Sequence, residues 1–311
     1  MELSQIDYYN FLAIRNNYLK PLNKFMSNDE IYLVINKYIF NQKFFPIPFF
    51  LTASLDDLKS IKNSTFIVKY KKESYNLPVL SVSTFNKKGI VKELFKGNKF
   101  HPYIDIIMHS KEYIIETDDI STKNFKKYVP KKNLVGFATR NIPHKGHEKI
   151  ILEKIKKLKM LIIINSEVTK NKKTNINKTL KAYSKFIKRE KINNKIILKK
   201  VLIPSTMLGY RQAALHAMLG KNFGCDNFII GRDHSGFLDF YKEFESYDFC
   251  KKNEKKIGLN ILESGSPLFC KICQKVVFRG ECNCKKNQFD ISSTFVRKIK
   301  NKKLKKLISN F

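Results

Sequence analysis

From about Asn133 onward, apolar runs alternate with stretches of helical period. Leu134 to Ala138 is an uninterrupted apolar run that predicts a buried strand, and Met160 to Asn165 repeats the pattern. Lys195 to Ile203 and Asn227 to Ile230 read as further strands. Between them, His147 to Lys159, about Thr179 to Arg189 and Tyr210 to Asn222 space their apolar residues as helices do. Strand and helix in alternation predict a parallel sheet with helices on both faces, which binds ligands beyond the carboxyl ends of its strands. The first 130 residues have a different texture. Short runs such as Phe44 to Leu51, Thr65 to Val68 and Val79 to Val82 are separated by turn-like polar clusters, and Pro46 and Pro48 exclude a helix. The pattern predicts a β-rich domain over residues 1–130 and an α/β domain over 131–311. The basic stretch Lys170 to Lys178 reads as a solvated loop, and no internal repeat is present.

The composition supports folded cores: hydrophobic residues are 43% of the 311, with 25 Phe and 14 Tyr, which excludes global disorder. No uninterrupted apolar run reaches about eighteen residues, so no membrane-spanning helix is expected. Met1 to Asp7 shows neither a basic region nor an apolar one of the secretory kind. The expectation is a soluble, cytoplasmic protein without membrane partners.

Sixty basic against 27 acidic side chains give a net charge of +33, which raises the question of a nucleic-acid partner. The excess is 53 Lys and 7 Arg, set among abundant Asn and Ile. Base-biased drift leaves that signature without a binding surface, so nucleic acid is not taken as the partner. Where Lys replaces Arg wherever it can, the surviving Arg residues are informative, because only Arg offers planar, bidentate recognition of oxyanions. Arg140, Arg211, Arg232 and Arg297 all fall inside the motifs that follow.

The first motif is Thr139-Arg140-Asn141-Ile142-Pro143-His144-Lys145-Gly146-His147-Glu148, a loop between a strand and a helix. The HxGH spacing is expected to set His144 and His147 one turn apart on a helix face. The free N–H groups and positive dipole end there suit phosphate oxygens, and Gly146 would let a ligand approach the backbone. The second motif, Gly231-Arg232-Asp233-His234-Ser235-Gly236, continues to Asp239-Phe240-Tyr241 and reads as a ligand loop at a strand end. The third is Ile291-Ser292-Ser293-Thr294-Phe295-Val296-Arg297, whose hydroxyls suit helix caps and, with Arg297, a triphosphate tail. Cys270-x2-Cys273-x8-Cys282-x-Cys284 supplies two close pairs of thiols for a tetrahedral structural Zn²⁺, with Cys284, in the tighter CxC, the less standard ligand. Cys225 and Cys250 stand alone and read as buried small apolar residues.

An early HxGH with a late ISSTxVR resembles the nucleotidyltransferases that attack the α-phosphorus of ATP. The Gly231–Gly236 loop, Arg211 to Ala217 and Lys221 to Cys225 narrow this to a resemblance to ATP sulfurylases. That family carries TRN-x-x-H-x-x-H-E, GRDHAG and ISGT-x-VR in the same order. Pro21 to Met26 is similar to its PL-x-GFM and Phe45 to Pro48 to its P-I-P strand, so the resemblance spans about residues 10 to 300. It implies a PUA-like β-rich domain before an HxGH-type, Rossmann-like α/β catalytic domain, with a zinc-ribbon-like insertion at about 265–290. It implies the single-function form, with no kinase-like extension expected. The implied reaction joins ATP and sulfate to give adenylyl sulfate and pyrophosphate, with Mg²⁺ accompanying ATP and the protein a homo-oligomer. Arg140 would hold sulfate, Thr139 and Asn141 orient the reacting groups, and His144 and His147 grip the phosphates. Gly231, Arg232, Asp233, His234 and Arg297 would bind ATP, and the backbone at Ser235 would touch sulfate.

Three positions depart from the family pattern: Ala138 stands for a Gln, Thr206 for an Arg and Gln212 for a Glu. The ATP half of the site therefore reads as intact and the sulfate half as altered. The alternatives are an adenylyltransferase with a changed acceptor or lost sulfate activity, and an RNA-binding protein using the PUA-like domain and the positive charge.

Overall fold

In the computed structural model, each helix of the first third of the chain starts after a side chain that accepts a free backbone N–H. Ser4 caps α1 (Gln5–Arg15), Ser27 caps α2 (Asn28–Lys37) and Ser54 caps α3 (Leu55–Leu58). Asn86 caps α4 (Lys87–Phe95), and His101 caps α5 (Pro102–Met108). These helices surround a small hairpin, β1 (Ile39–Phe40) with β2 (Lys43–Phe44), and a four-stranded antiparallel sheet. The sheet is built from β3 (Leu51–Ala53), β4 (Thr65–Tyr70), β5 (Glu73–Thr84) and β6 (Tyr113–Thr117), in the order β3-β6-β5-β4. The strands expected at Thr65 and Val79 are present, whereas Pro46 and Pro48 leave residues 45–50 irregular. The structure describes residues 1–96, 100–122, 133–165, 175–238, 240–292, 295–296, 299–300, 302 and 304, without the side chain of residue 285.

The apolar runs of the second part form the expected parallel sheet. Every residue of β7 (Leu134–Thr139) is buried, as is all but the first of β8 (Lys159–Asn165). α6 (Lys145–Lys154) links them; it stops short of the expected Lys159, which already starts the strand. α7 (Ile176–Arg189) starts three residues before the expected Thr179 because Asn175 caps it, and so takes in the end of the basic stretch read as loop. After it come β9 (Ile196–Val201), α8 (Gly209–Asn222), β10 (Asn227–Ile230), α9 (Glu245–Lys252), α10 (Glu254–Ile257) and β11 (Asn260–Glu263). The order is β11-β10-β7-β8-β9, with all pairs parallel. The chain winds outward from β7 in one direction, then returns to β10 on the other side. β7 and β10 thus flank a topological switch point, where a doubly wound sheet opens a crevice.

A last, three-stranded antiparallel sheet carries the cysteines: β12 (Pro267–Cys270), β13 (Lys275–Phe278) and β14 (Gln288–Asp290), in the order β13-β12-β14. One apolar core runs from Phe11, Phe25 and Phe45 to Leu161, Ile163 and Leu215, without a break between the antiparallel and parallel sheets. Arg211 of α8 crosses the same junction, donating to Pro46 O (2.9 Å) and Ile35 O (2.7 Å). Its guanidinium lies 4.5 Å above the Tyr38 ring. Cys225 and Cys250 are buried in this core, as their isolation in the sequence suggested. Among the described residues, no helix is long and apolar enough to cross a membrane.

Candidate active site

The switch point holds a cavity of about 560 Å³. Ala138, Thr139, Arg140 and Asn141 reach it from the end of β7, His144 and His147 from the start of α6, and Gly231 to Gly236 from the end of β10. Segments nearly a hundred residues apart in the chain therefore meet in one place. Arg297, with Ser293 and Thr294, lies outside the described residues, as does Asp239; Ile291 and Ser292 reach the cavity edge.

The HxGH geometry differs from the expected helix face. His144 is the N-cap of α6, not part of it, and its Nδ1 accepts the Gly146 N–H at 3.1 Å. His147 returns the contact, its Nδ1 accepting the His144 N–H at 3.4 Å, and the rings lie 3.9 Å apart. A backbone N–H can only donate, so both Nδ1 atoms are unprotonated and both neutral imidazoles carry their proton on Nε2. Burial pushes the His147 imidazole down to about 4, although part of its surface opens to the cavity. Gly146 is needed for packing: a Cβ there would meet the His144 ring at 3.0 Å and Pro267 at 3.2 Å. The helix is secured from below by Glu148, buried between Arg189 (2.7 Å) and Lys145 (3.1 Å).

Arg140 brings positive charge to the cavity and donates to Ser205 Oγ at 2.7 Å. The Thr139 hydroxyl accepts the Asn141 N–H at 3.2 Å, tightening the turn after β7. Arg232 lines the cavity, but its guanidinium is engaged by Asp290 (2.7 Å) and Glu243 (3.2 Å), so it braces the loop to β14. Ser235 sits at φ +59°, and its carbonyl accepts the Gly209 N–H at 3.1 Å. Gly209 needs its left-handed φ of +47°, and a Cβ there would overlap the Tyr241 ring at 2.6 Å.

Several residues of the site carried no assigned role in the sequence reading. His216, 2% exposed on α8, contacts His234 Nε2 through its Nδ1 at 2.9 Å. Its Nε2 faces Gln212 Nε2 at 3.0 Å and Asn165 Nδ2 at 3.3 Å. Burial, the neighbouring His234 and the charge of Arg140 hold His216 far below the usual imidazole range. Burial and Arg140 push His234 to about 4. A signal existed: Gln212 and His216 stand at i, i+4 in a helix whose other buried residues, Arg211 apart, are apolar or glycine. Thr206 and Gln212, two of the departures expected to alter the sulfate half, do not line the cavity and instead contact each other. Thr206 N donates to Gln212 Oε1 at 3.0 Å, and its hydroxyl bonds to the same oxygen. Arg and Glu in the family pattern give way here to a neutral, hydrogen-bonded pair, so neither position is left as an uncompensated charge. Ala138 does line the cavity.

The cysteine sheet reaches the cavity through Pro267 at the start of β12 and through Ile291, the residue after β14. The four thiol sulfurs of Cys270, Cys273, Cys282 and Cys284 lie within 4.8 Å of one another, and those of Cys273 and Cys284 are 3.9 Å apart. A tetrahedral zinc with thiolates at about 2.3 Å needs sulfurs roughly 3.8 Å apart, so the cluster fits a metal of this kind. The Cys273 N–H donates to Cys270 Sγ at 3.4 Å, which, above all, lowers that thiol to about 7.

A parallel sheet with an HxGH loop at its switch point defines a nucleotide-binding α/β protein. The ATP-sulfurylase family model matches residues 117–305 and a PUA-like domain model residues 1–118. The chain belongs to the ATP-sulfurylase family. It is 26% identical to the sulfate adenylyltransferase of Staphylothermus marinus over 96% of this chain and 84% of that one. With the enzyme of the same name from Carboxydothermus hydrogenoformans it shares 25% over 96% and 85%. Among solved structures, a hexameric APS kinase from Thiobacillus denitrificans superposes with a TM-score of 0.66 at 13% identity. The match covers 99% of this chain and 60% of that chain, so the likeness is one of fold.

Proposed function

We propose that the protein is a sulfate adenylyltransferase that makes adenylyl sulfate and pyrophosphate from ATP and sulfate. The observation that carries this reading is the meeting of Thr139 to Asn141, His144, His147 and Gly231 to Ser235 around one cavity at the switch point. A sulfate oxygen attacks the α-phosphorus in line; the new P–O bond forms as the bond to the bridging oxygen of pyrophosphate breaks. Sulfate is already an anion, so no protein base is required. The site has to bring two anions together and stabilise charge on the leaving pyrophosphate. Arg140 supplies charge toward sulfate, with the backbone at Ser235 beside it. His144 and His147 supply uncharged Nε2–H donors toward the phosphates, which suits groups that must release product. Gly231, Asp233 and His234 take the nucleotide, with Arg232 holding their loop and Arg297 assigned to the triphosphate.

Mg²⁺ would accompany ATP and neutralise charge on its phosphates, with Asp233, the one carboxylate among the described residues lining the cavity, as the side chain that would help hold it. Zn²⁺ in the four-cysteine cluster is structural, because all four positions are thiols and none is left open for substrate. The division at about residue 130 separates a PUA-like domain from the catalytic one, with the cysteine insertion at about 265–290. A cytoplasmic homo-oligomer completes the reading. Ala138 favours a second reading, a changed acceptor, because its side chain brings no hydrogen-bond donor to the cavity. The test is ATP formation from adenylyl sulfate and pyrophosphate, with pyrophosphate release from ATP and sulfate in the other direction. Absence of both reactions in folded, metal-loaded protein overturns the first reading.

A further inference from the structure

We propose that Gln212, acting through His216, fixes His234 as the Nδ1-protonated tautomer, so that the loop after β10 offers an uncharged N–H donor to an oxyanion. The proposal deepens the reading above and rests on it for the ligand, a phosphate or sulfate oxygen. The chain of hydrogen bonds begins at Thr206. Its backbone N–H can only donate, and it donates to Gln212 Oε1 at 3.0 Å, with the Thr206 hydroxyl on the same oxygen. The carboxamide is thereby oriented, and its nitrogen faces His216 Nε2 at 3.0 Å. An amide nitrogen only donates, so His216 Nε2 is an acceptor and bears no proton. Asn165 Nδ2, at 3.3 Å, adds a second donor to the same atom.

His216 is buried and held neutral, so its single proton resides on Nδ1. That atom lies 2.9 Å from His234 Nε2 and donates to it. With Nε2 occupied as an acceptor, neutral His234 carries its own proton on Nδ1, on a ring that lines the cavity. The direction of every bond in this chain follows from one backbone N–H. The contrast with α6 is informative. There the backbone occupies Nδ1 of His144 and His147 and leaves Nε2–H; here a side-chain relay occupies Nε2 and leaves Nδ1–H. Both devices give the same result, a neutral imidazole whose other ring nitrogen can only donate. Gln212 and His216 are positioning residues, since neither need touch the ligand.

The test is a long-range ¹H–¹⁵N correlation spectrum of the full chain with ¹⁵N-labelled histidine at neutral pH, combined with calorimetric titration of MgATP. Signals are assigned by their loss in His216→Asn and His234→Asn. Both histidines are expected as Nδ1–H tautomers. Gln212→Glu keeps an acceptor for the Thr206 N–H but turns an acceptor toward His216, so His216 Nε2 should become protonated. His216→Leu removes the relay; His234 should then move to the Nε2–H form preferred by free imidazole, and MgATP should bind roughly ten-fold more weakly. Wild-type His234 protonated at Nε2 overturns the proposal, as does Gln212→Glu with His216 Nε2 still bare. Unchanged MgATP affinity in a His216→Leu protein whose His234 has switched overturns the donor role. A wild-type protein that shows the expected tautomers but makes no adenylyl sulfate upholds the relay while the proposed reaction fails.

Discussion

Arg232 Nη1 and Asp290 Oδ1 are 2.7 Å apart, which ties the loop after β10 to the last strand of the cysteine sheet. Asp290 pairs with Leu268 of β12, two residues before Cys270. β12 also brings Pro267 against Gly146 at the start of α6. The cysteine cluster thus stands behind both the HxGH turn and the strand-end loop, and its integrity should be felt at the nucleotide.

Metal removal is accordingly expected to change more than stability. Purified protein should contain about one zinc per chain, and chelation or Cys270→Ser should lower the melting temperature and metal content together. MgATP affinity should fall by about ten-fold in the same preparations, since losing one charged contact costs on the order of 1.5 kcal/mol. Calorimetry and metal analysis read both effects. Metal-free protein with unchanged melting temperature and unchanged MgATP binding would sink the coupling.

His144→Ala should lose turnover by about 10²-fold and stability by about 1 kcal/mol, because the imidazole caps the helix and, on the proposed reading, also donates to phosphate. The stability cost comes from the N-cap position of His144, which the expected place of both histidines on a helix face did not include. His144→Asn separates the roles: Asn caps a helix well but offers no imidazole, so it should restore melting temperature without restoring turnover. His147→Ala should cost similar turnover. Near-normal turnover in either alanine variant would contradict the assignment.

The acid response follows from His147 and His234, each pushed from 6.5 to about 4 in the folded protein. The unfolded chain binds their protons first as pH falls. Stability is therefore fully present above about 6.5 and declines toward 4, by up to about 1.4 kcal/mol per pH unit for each group. Activity, in contrast, should persist well below pH 6.5, with an acid limb near 4 to 5. Denaturant unfolding at several pH values and a kcat/KM profile measure the two separately. An acid limb centred at 6.5 would mean that these imidazoles titrate freely.

Arg211→Met should cost about 3 kcal/mol or more, since it strips the donors from the buried carbonyls of Ile35 and Pro46. Chemical denaturation reads the loss directly. Arg211→Lys should recover only part, because an ammonium does not present the planar fork that reaches both. If Arg211→Met is as stable as the wild type, the guanidinium does not hold the two parts of the chain together.

What could be read from the sequence divides along the same lines. β7 and β8 were legible because a strand buried on both faces is an apolar run, and the cysteine cluster because its thiols lie close in the chain. Helix starts were less so, since α7 depends on Asn175 and α6 on a histidine acting as a cap. The contacts of Arg211 with Pro46 and of His216 with His234 depend on packing between distant segments and leave no local period. Thr206 and Gln212 looked like separate losses because the turn into α8 that joins them is set by the left-handed Gly209.

Ala138 poses the sharpest question for the reaction. It lies at the end of β7, 7% exposed, beside the turn that carries Arg140, and it lines the cavity. A sulfate taken out of water needs a donor for its oxygens, and the family pattern places a Gln here to supply one. Arg140 remains, so charge is retained while one neutral donor is gone. Losing such a bond to an anion costs about 1.5–3 kcal/mol, or roughly 10- to 150-fold in affinity. The expected phenotype is ordinary MgATP affinity with a high KM for sulfate. Ala138→Gln should lower the sulfate KM by at least about ten-fold while leaving MgATP binding unchanged, because the cavity of about 560 Å³ has room for the longer side chain. Steady-state kinetics with sulfate varied at saturating MgATP, beside calorimetry of MgATP alone, separates the two. A wild-type protein that already uses sulfate well, with Ala138→Gln neutral or harmful, would mean that another donor fills the place. No turnover with sulfate in either protein, with MgATP still bound, would transfer the case to a different acceptor oxyanion.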